Sequence, residues 1–124
     1  MSARVRRIVV FPRYTSFVGS GSIYSPPLDV RGFASGVFVG WQGTGLGLTP
    51  AEVEYTFQLS PDLENWFDTT VLSPGAGAEV TGNVGFDYPW MRCRADVSGA
   101  DPAVTGWIVG EIVERDGLGA GGGA

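Results

Sequence analysis

The sequence predicts an all-β protein, an antiparallel β-sandwich or a jelly-roll-like barrel of short strands. Three observations carry that expectation. In the block Glu52 to Thr70, Val53, Tyr55, Phe57 and Leu59 alternate with Glu54, Thr56, Gln58 and Ser60, the period of two that turns apolar side chains to one face of a sheet. Pro61 and Asp62 then supply turn chemistry, and Trp66-Phe67 reopen an apolar run, so the block reads as a hairpin. Twenty glycines and eight prolines punctuate short β-branched and aromatic runs, and no segment keeps helical period beyond two turns.

The strands expected from this punctuation are Val5–Phe11, Tyr14–Val18, Ser22–Tyr24, Gly36–Gln42, Val53–Ser60, Trp66–Val71, Ala78–Gly85, Trp90–Val97 and Val104–Glu114. Separators such as Gly19-Ser20-Gly21, Pro26-Pro27, Ser73-Pro74-Gly75 and Ser98 to Pro102 recur about every ten residues, as in sandwiches and barrels. The aromatic core expected between two such sheets is Trp41, Tyr55, Phe57, Trp66, Phe86 and Trp90. Residues 1–115 are read as one β domain with a basic N-terminal arm, 1–13, and residues 116–124 as a flexible glycine-rich tail. Within the domain, Gly43 to Pro50 is the longest connection, and its Leu46 and Leu48 are candidates for a contact with another chain, or for capping the open end of the sandwich.

Composition excludes several classes of chemistry. The chain contains no histidine, which removes Ser–His and Cys–His nucleophiles and the commonest metal ligand. Cys93, the single cysteine, shares a strand face with Met91, Ala95 and Val97 and reads as a small buried hydrophobe, because the arginines beside it point the other way. No disulfide framework exists, and no apolar run approaches a membrane span or a secretion signal. Without lysine, the glycines at 43, 45 and 47 make no phosphate loop.

Charge is unevenly placed. All eight basic residues are arginine, against thirteen acids, a formal charge of −5. Arg4, Arg6, Arg7 and Arg13 stand in the first thirteen residues with no acid among them. An acidic body argues against nucleic acid as a partner. The four arginines suit an acidic neighbour, including another copy of the chain; the simpler reading makes Arg4, Arg6 and Arg7 the exposed side of a first strand whose Val5 and Ile8 face inward.

Other constellations have plainer explanations beside the functional ones. Asp62, Glu64, Asn65 and Asp68 offer oxygens to calcium but lack EF-hand spacing, and turn chemistry accounts for Asp62 and Asn65. Glu52, Glu54, Glu111 and Glu114 contain no spacing that marks a glycosidase pair. Glu111 shares its strand face with Trp107, Val109 and Val113, which predicts either burial against Arg92 or Arg94 or a bulge near Gly110. Tyr14, Tyr24, Trp41 and Trp90 are the rings available for a sugar-stacking platform.

The run Gln58-Leu59-Ser60-Pro61-Asp62, then Asn65-Trp66-Phe67, then Tyr88 to Arg94 and Val104-Thr105-Gly106-Trp107, resembles the small β-sandwich structural proteins of tailed bacteriophage particles. The shared pattern is a strand, an S-x-D-x-x-x-W turn, a second strand and a late aromatic–arginine strand, spanning about Val53 to Val113; the usual glycine after the turn aspartate is Leu63 here. The resemblance implies a domain on the outside of an icosahedral head as a decoration or cement protein, or on a tail or fibre as an interaction module. It carries no catalytic residues.

The expectation is therefore a non-enzymatic virion structural protein, made in the host cytoplasm, that binds the major capsid protein and itself, as a trimer matching a capsid threefold. Arg4, Arg6, Arg7, Arg13, Leu46 and Leu48 are its contact residues. No cofactor, metal, nucleic acid, membrane or small-molecule substrate is expected. A carbohydrate-binding module and a tail or head-completion protein are the alternatives.

Overall fold

A computed structural model of the chain describes residues 4–45, 51–100 and 102–115. Its strands are β1 (Val5–Val18), β2 (Gly21–Tyr24), β3 (Leu28–Asp29), β4 (Phe33–Gln42), β5 (Glu52–Ser60), β6 (Phe67–Leu72), β7 (Glu79–Gly85), β8 (Trp90–Ser98) and β9 (Ala103–Glu114). They form two antiparallel sheets, one of four strands in the order β1-β9-β4-β7 and one of five in which β2-β8-β5-β6 run in order and β3 also pairs with β8. The sheets pack face to face, so of the sandwich and barrel expected from the sequence, the sandwich is the architecture found.

Alternation places the core. On β5, Val53, Tyr55, Phe57 and Leu59 point between the sheets, and on β8 so do Met91, Cys93, Ala95 and Val97. From the other sheet come Phe38 of β4, Val84 of β7 and Val104, Ile108 and Ile112 of β9. The inner positions flanking Phe38 and Ile108 are glycines for a steric reason: a methyl group on Gly110 would run into the Phe38 ring, and one on Gly106 would meet the Tyr55 hydroxyl. Large rings thus occupy the space that small residues opposite leave open, with Phe38 and Phe57 centred 4.6 Å apart. The buried polar atoms are matched. Tyr55 donates its hydroxyl to the Trp41 carbonyl at 2.9 Å, Gln42 accepts the Val53 amide at 2.7 Å, and Ser25 accepts the Cys93 amide at 2.8 Å.

Several expectations change. The two short strands expected at Val5–Phe11 and Tyr14–Val18 are one edge strand, β1, whose register against β9 slips between Val9 and Phe11 and again before Thr15. The first slip lets Val10 and Phe11 both enter the core, and Tyr14 sits at φ 67°, outside the ordinary strand range. Such irregularities discourage the pairing of further strands along this part of the edge. Val5 and Ile8 do not share a side: Ile8 leans on the core, whereas Val5 points outward and is 56% exposed. Of the six aromatics expected inside, Tyr55, Phe57 and Phe86 are buried, while Trp41, Trp66 and Trp90 are only partly covered. Trp41 and Trp90 lie on the outward parity of β4 and β8, because Gly40 and Gln42, and Met91 and Cys93, are the inward residues there.

Candidate functional site

The outward side of the four-stranded sheet carries an apolar surface. Register across β1, β9 and β4 aligns Val5, Val113 and Ser35 in one row, Arg7, Glu111 and Val37 in the next, and Val9, Val109 and Val39 in a third. Val9 and Val37 are 62% and 46% exposed. The face ends on Trp107 and Trp41, paired residues whose rings stack at 6.1 Å, and the Arg13 guanidinium lies 4.2 Å over the Trp107 ring. Amid this surface Arg7 and Glu111 stand opposite one another and form an ion pair at 3.5 Å.

The outward side of the five-stranded sheet is built differently. Arg92 is clamped between the rings of Tyr24 and Trp66, at 4.3 and 4.2 Å, and donates through Nε to Gln58 Oε1 at 2.8 Å. Gln58 in turn donates to Asp68 Oδ1 at 2.7 Å. Arg94 joins Asp68 at 3.5 Å and Asp96 at 2.9 Å, and Ser22 donates to Asp96 at 2.6 Å. The Asp96 carboxylate, through its hydrogen bond and charge, raises the Arg94 pKa further. Every charged group in this cluster has an opposite partner or a hydrogen bond, so the face is an ordered polar lattice.

The contact residues expected from the sequence divide between these places. Arg4 pairs with Glu114 at 3.8 Å, Arg7 with Glu111, Arg6 lies 6.0 Å from the centre of the Phe33 ring, and Arg13 covers Trp107. Val5 to Arg13 therefore lie within β1, which pairs with β9 from Val5 to Phe11 and again from Thr15. Leu46, Leu48 and the tail 116–124 lie outside the described residues. Glu111 is neither buried nor next to a bulge on its own strand: Trp107, Val109 and Val113 form the outer face of β9, and Arg92 and Arg94 stand on the opposite side of the sandwich.

The remaining candidates resolve into structural roles. Asp62 Oδ1 accepts the amides of Glu64 and Asn65 at 2.9 and 2.8 Å, Oδ2 accepts the Asn65 side chain at 2.7 Å, and Ser60 Oγ accepts the amides of Asp62 and Leu63. Those donors, the backbone amides first, hold the Asp62 carboxyl at about 2. The loop spends its oxygens on its own turn, and the described residues contain no cluster of three or more metal-binding side chains. Leu63 adopts φ 69°, the left-handed conformation that the glycine of the resembling pattern would take without strain. Burial drives the Cys93 thiol well above its ordinary pKa, which removes the thiolate needed for reactivity. The four rings considered for a sugar platform are dispersed, with Trp41 on one outer face, Tyr24 and Trp90 on the other and Tyr14 on the β1 edge.

Sequence reasoning missed the valine surface. Its signal is present, however: β4 and β9 read G-V-F-V-G-W and W-I-V-G-E-I-V, apolar at both parities, whereas β5 and β8 alternate. Near-continuous apolar runs are what strands covered on both faces show.

No family model matches the chain, and no characterised protein matches it in sequence. Solved structures do share its fold. The PBSX exported protein XepA superposes with a TM-score of 0.68 at 10% identity over 90% of this chain and 37% of XepA. VP2 of the infectious bursal disease virus subviral particle gives 0.62 at 12% identity over 93% of this chain and 33% of VP2. The SPBc2 prophage-derived protein YomS gives 0.53 at 8% identity, covering 92% of this chain and 96% of YomS. The chain thus spans about a third of XepA and VP2 and nearly all of YomS.

Proposed function

We propose that this chain is a non-enzymatic structural subunit of a phage virion, and that it decorates or cements the capsid by binding neighbouring subunits. The observation that carries the reading is the outer face of the four-stranded sheet. Val5, Val9, Val37, Val39, Val109 and Val113 make up an apolar surface, crossed in its middle row by the Arg7–Glu111 ion pair, on strands whose other side already fills the core. A soluble subunit gains from such a surface when another protein covers it. The fold held in common with the prophage-derived protein YomS, with the PBSX exported protein XepA and with VP2 of a subviral particle supports the same setting. The capsid protein and further copies of the chain are the partners proposed, and the particle is its place.

Quantitative mass spectrometry of purified particles from the host that carries this chain tests the reading. Copy numbers comparable to the capsid subunit are expected. A handful of copies would move the chain to the tail or portal, and its absence from particles would overturn the proposal.

A further inference from the structure

We propose that the β1–β9 half of this outer face pairs with the same half in a second copy of the chain, about a two-fold axis that runs along the strands between β1 and β9. The inference rests on the preceding reading only in taking this face to be a covered one. An axis in that position exchanges β1 and β9 and keeps every row in place. Val5 of one copy then meets Val113 of the second, Val9 meets Val109, and Arg7 meets Glu111, each contact occurring twice by symmetry. Apolar groups face apolar groups, and cations face anions, with no like-charged contact among these rows.

Charge selects this face over the rest of the surface. The chain carries a formal charge of −5, so copies repel one another in general. The three outward-facing rows, those of Val5, Arg7 and Val9, hold one arginine and one glutamate and are neutral. In the isolated chain that ion pair is open to water, with the Arg7 side chain 88% and the Glu111 side chain 54% exposed, and contributes little. Between two copies it becomes a closed ring of four alternating charges shielded by valines, in which each charge has two opposite partners.

Size sets the strength of the pairing. Two strands at ~4.8 Å spacing and ~3.4 Å per residue along the 12 residues of β9 give a flat overlap of roughly 400 Å² per copy. Two such faces bury about 800 Å², the scale of weak and reversible association. Val37 and Val39 of β4 lie beside the overlap and stay available to a further subunit.

Sedimentation velocity on the full chain, followed up to hundreds of micromolar, tests the pairing. The wild type is expected to reach a dimer in that range and to go no further. Val5→Glu and Val9→Glu, both at positions exposed in the single subunit, are expected to stay folded by circular dichroism and to sediment as monomers. Arg7→Glu alone and Glu111→Arg alone are expected to dimerise at least tenfold more weakly. Their equimolar mixture is expected to recover the dimer, because an all-acidic row then meets an all-basic one; a contact made only within one chain cannot produce that rescue. A monomeric or trimeric wild type overturns the inference, as does a mixture that fails to associate. Should the valine variants unfold, the exposed charge pair carries the test by itself. A monomeric chain that binds empty capsids gives the face to the capsid protein and leaves the virion reading standing. A dimer absent from purified particles does the reverse.

Discussion

On the outside of β9 the successive outward residues are Trp107, Val109, Glu111 and Val113; on the outside of β8 they are Trp90, Arg92, Arg94 and Asp96. Both strands lie within their sheets with a paired neighbour on each side, and both turn a buried apolar row inward. The difference lies in how each outer row is satisfied. Around β8, side chains from β2, β5 and β6 supply polar and ionic partners within the same chain, while Tyr24 and Val71 at its margins stay exposed. Around β9, the neighbours Val9, Val39 and Val37 add more apolar area and leave it open. One face is knit together by groups of its own chain, and the other leaves Val5, Val9 and Val37 exposed.

That contrast can be broken most strongly at Arg92. Replacing it with alanine strips the donor from Gln58, which is buried, and uncovers Tyr24 and Trp66. A loss of about 2 kcal/mol is expected, seen as a lowered midpoint in urea unfolding with unchanged slope. Leu63→Gly acts at the rim of the same face, in the turn between β5 and β6. Relief of the left-handed backbone at φ 69° is expected to raise stability by about 0.5–1 kcal/mol, and an unchanged midpoint would mean that Leu63 gains elsewhere what it loses in strain.

Acid separates the two faces further. Asp62, and Asp29 held by Arg31 donors, have folded-state values of about 2, below the ordinary carboxylate value of 3.8. Groups depressed in this way stabilise the fold above about pH 4 and lose that contribution as pH falls toward 2. The melting temperature of the wild type is expected to drop by a few degrees more over that window than that of Asp62→Asn, in thermal scans at matched ionic strength. The smallest effect is expected on the valine face. Val9→Thr combined with Val37→Thr, studied dilute enough to keep copies apart, is expected to change stability by less than about 0.5 kcal/mol, since both side chains are exposed and lie outside the core.

Much of this architecture is legible in the chain because alternation is a local property. The period of two along Glu52–Ser60 and Trp90–Ser98 identifies the inward residues of β5 and β8 one by one, and the run Ser60 to Asn65 encodes its own turn through side-chain acceptors at fixed offsets. Where both parities are apolar the same logic cannot choose between them. Gly106, Ile108 and Gly110 compete with Trp107, Val109 and Glu111 for the inside of β9, and Phe38 and Tyr55 decide the outcome, since their rings fit only against glycine. The strand order belongs to the same class of fact. That β1 pairs with β9, and that Arg7 and Arg4 thereby find Glu111 and Glu114 at the far end of the chain, depends on contacts between segments about a hundred residues apart.

Residue type and short-range spacing are enough to read an all-β domain of sandwich or barrel type, most of its strands and turns, the burial of Cys93 and the lack of histidine chemistry. Which side of β4 and β9 faces out, which arginine meets which acid, and the apolar face left uncovered on one sheet follow from packing across the two sheets, which no local spacing encodes.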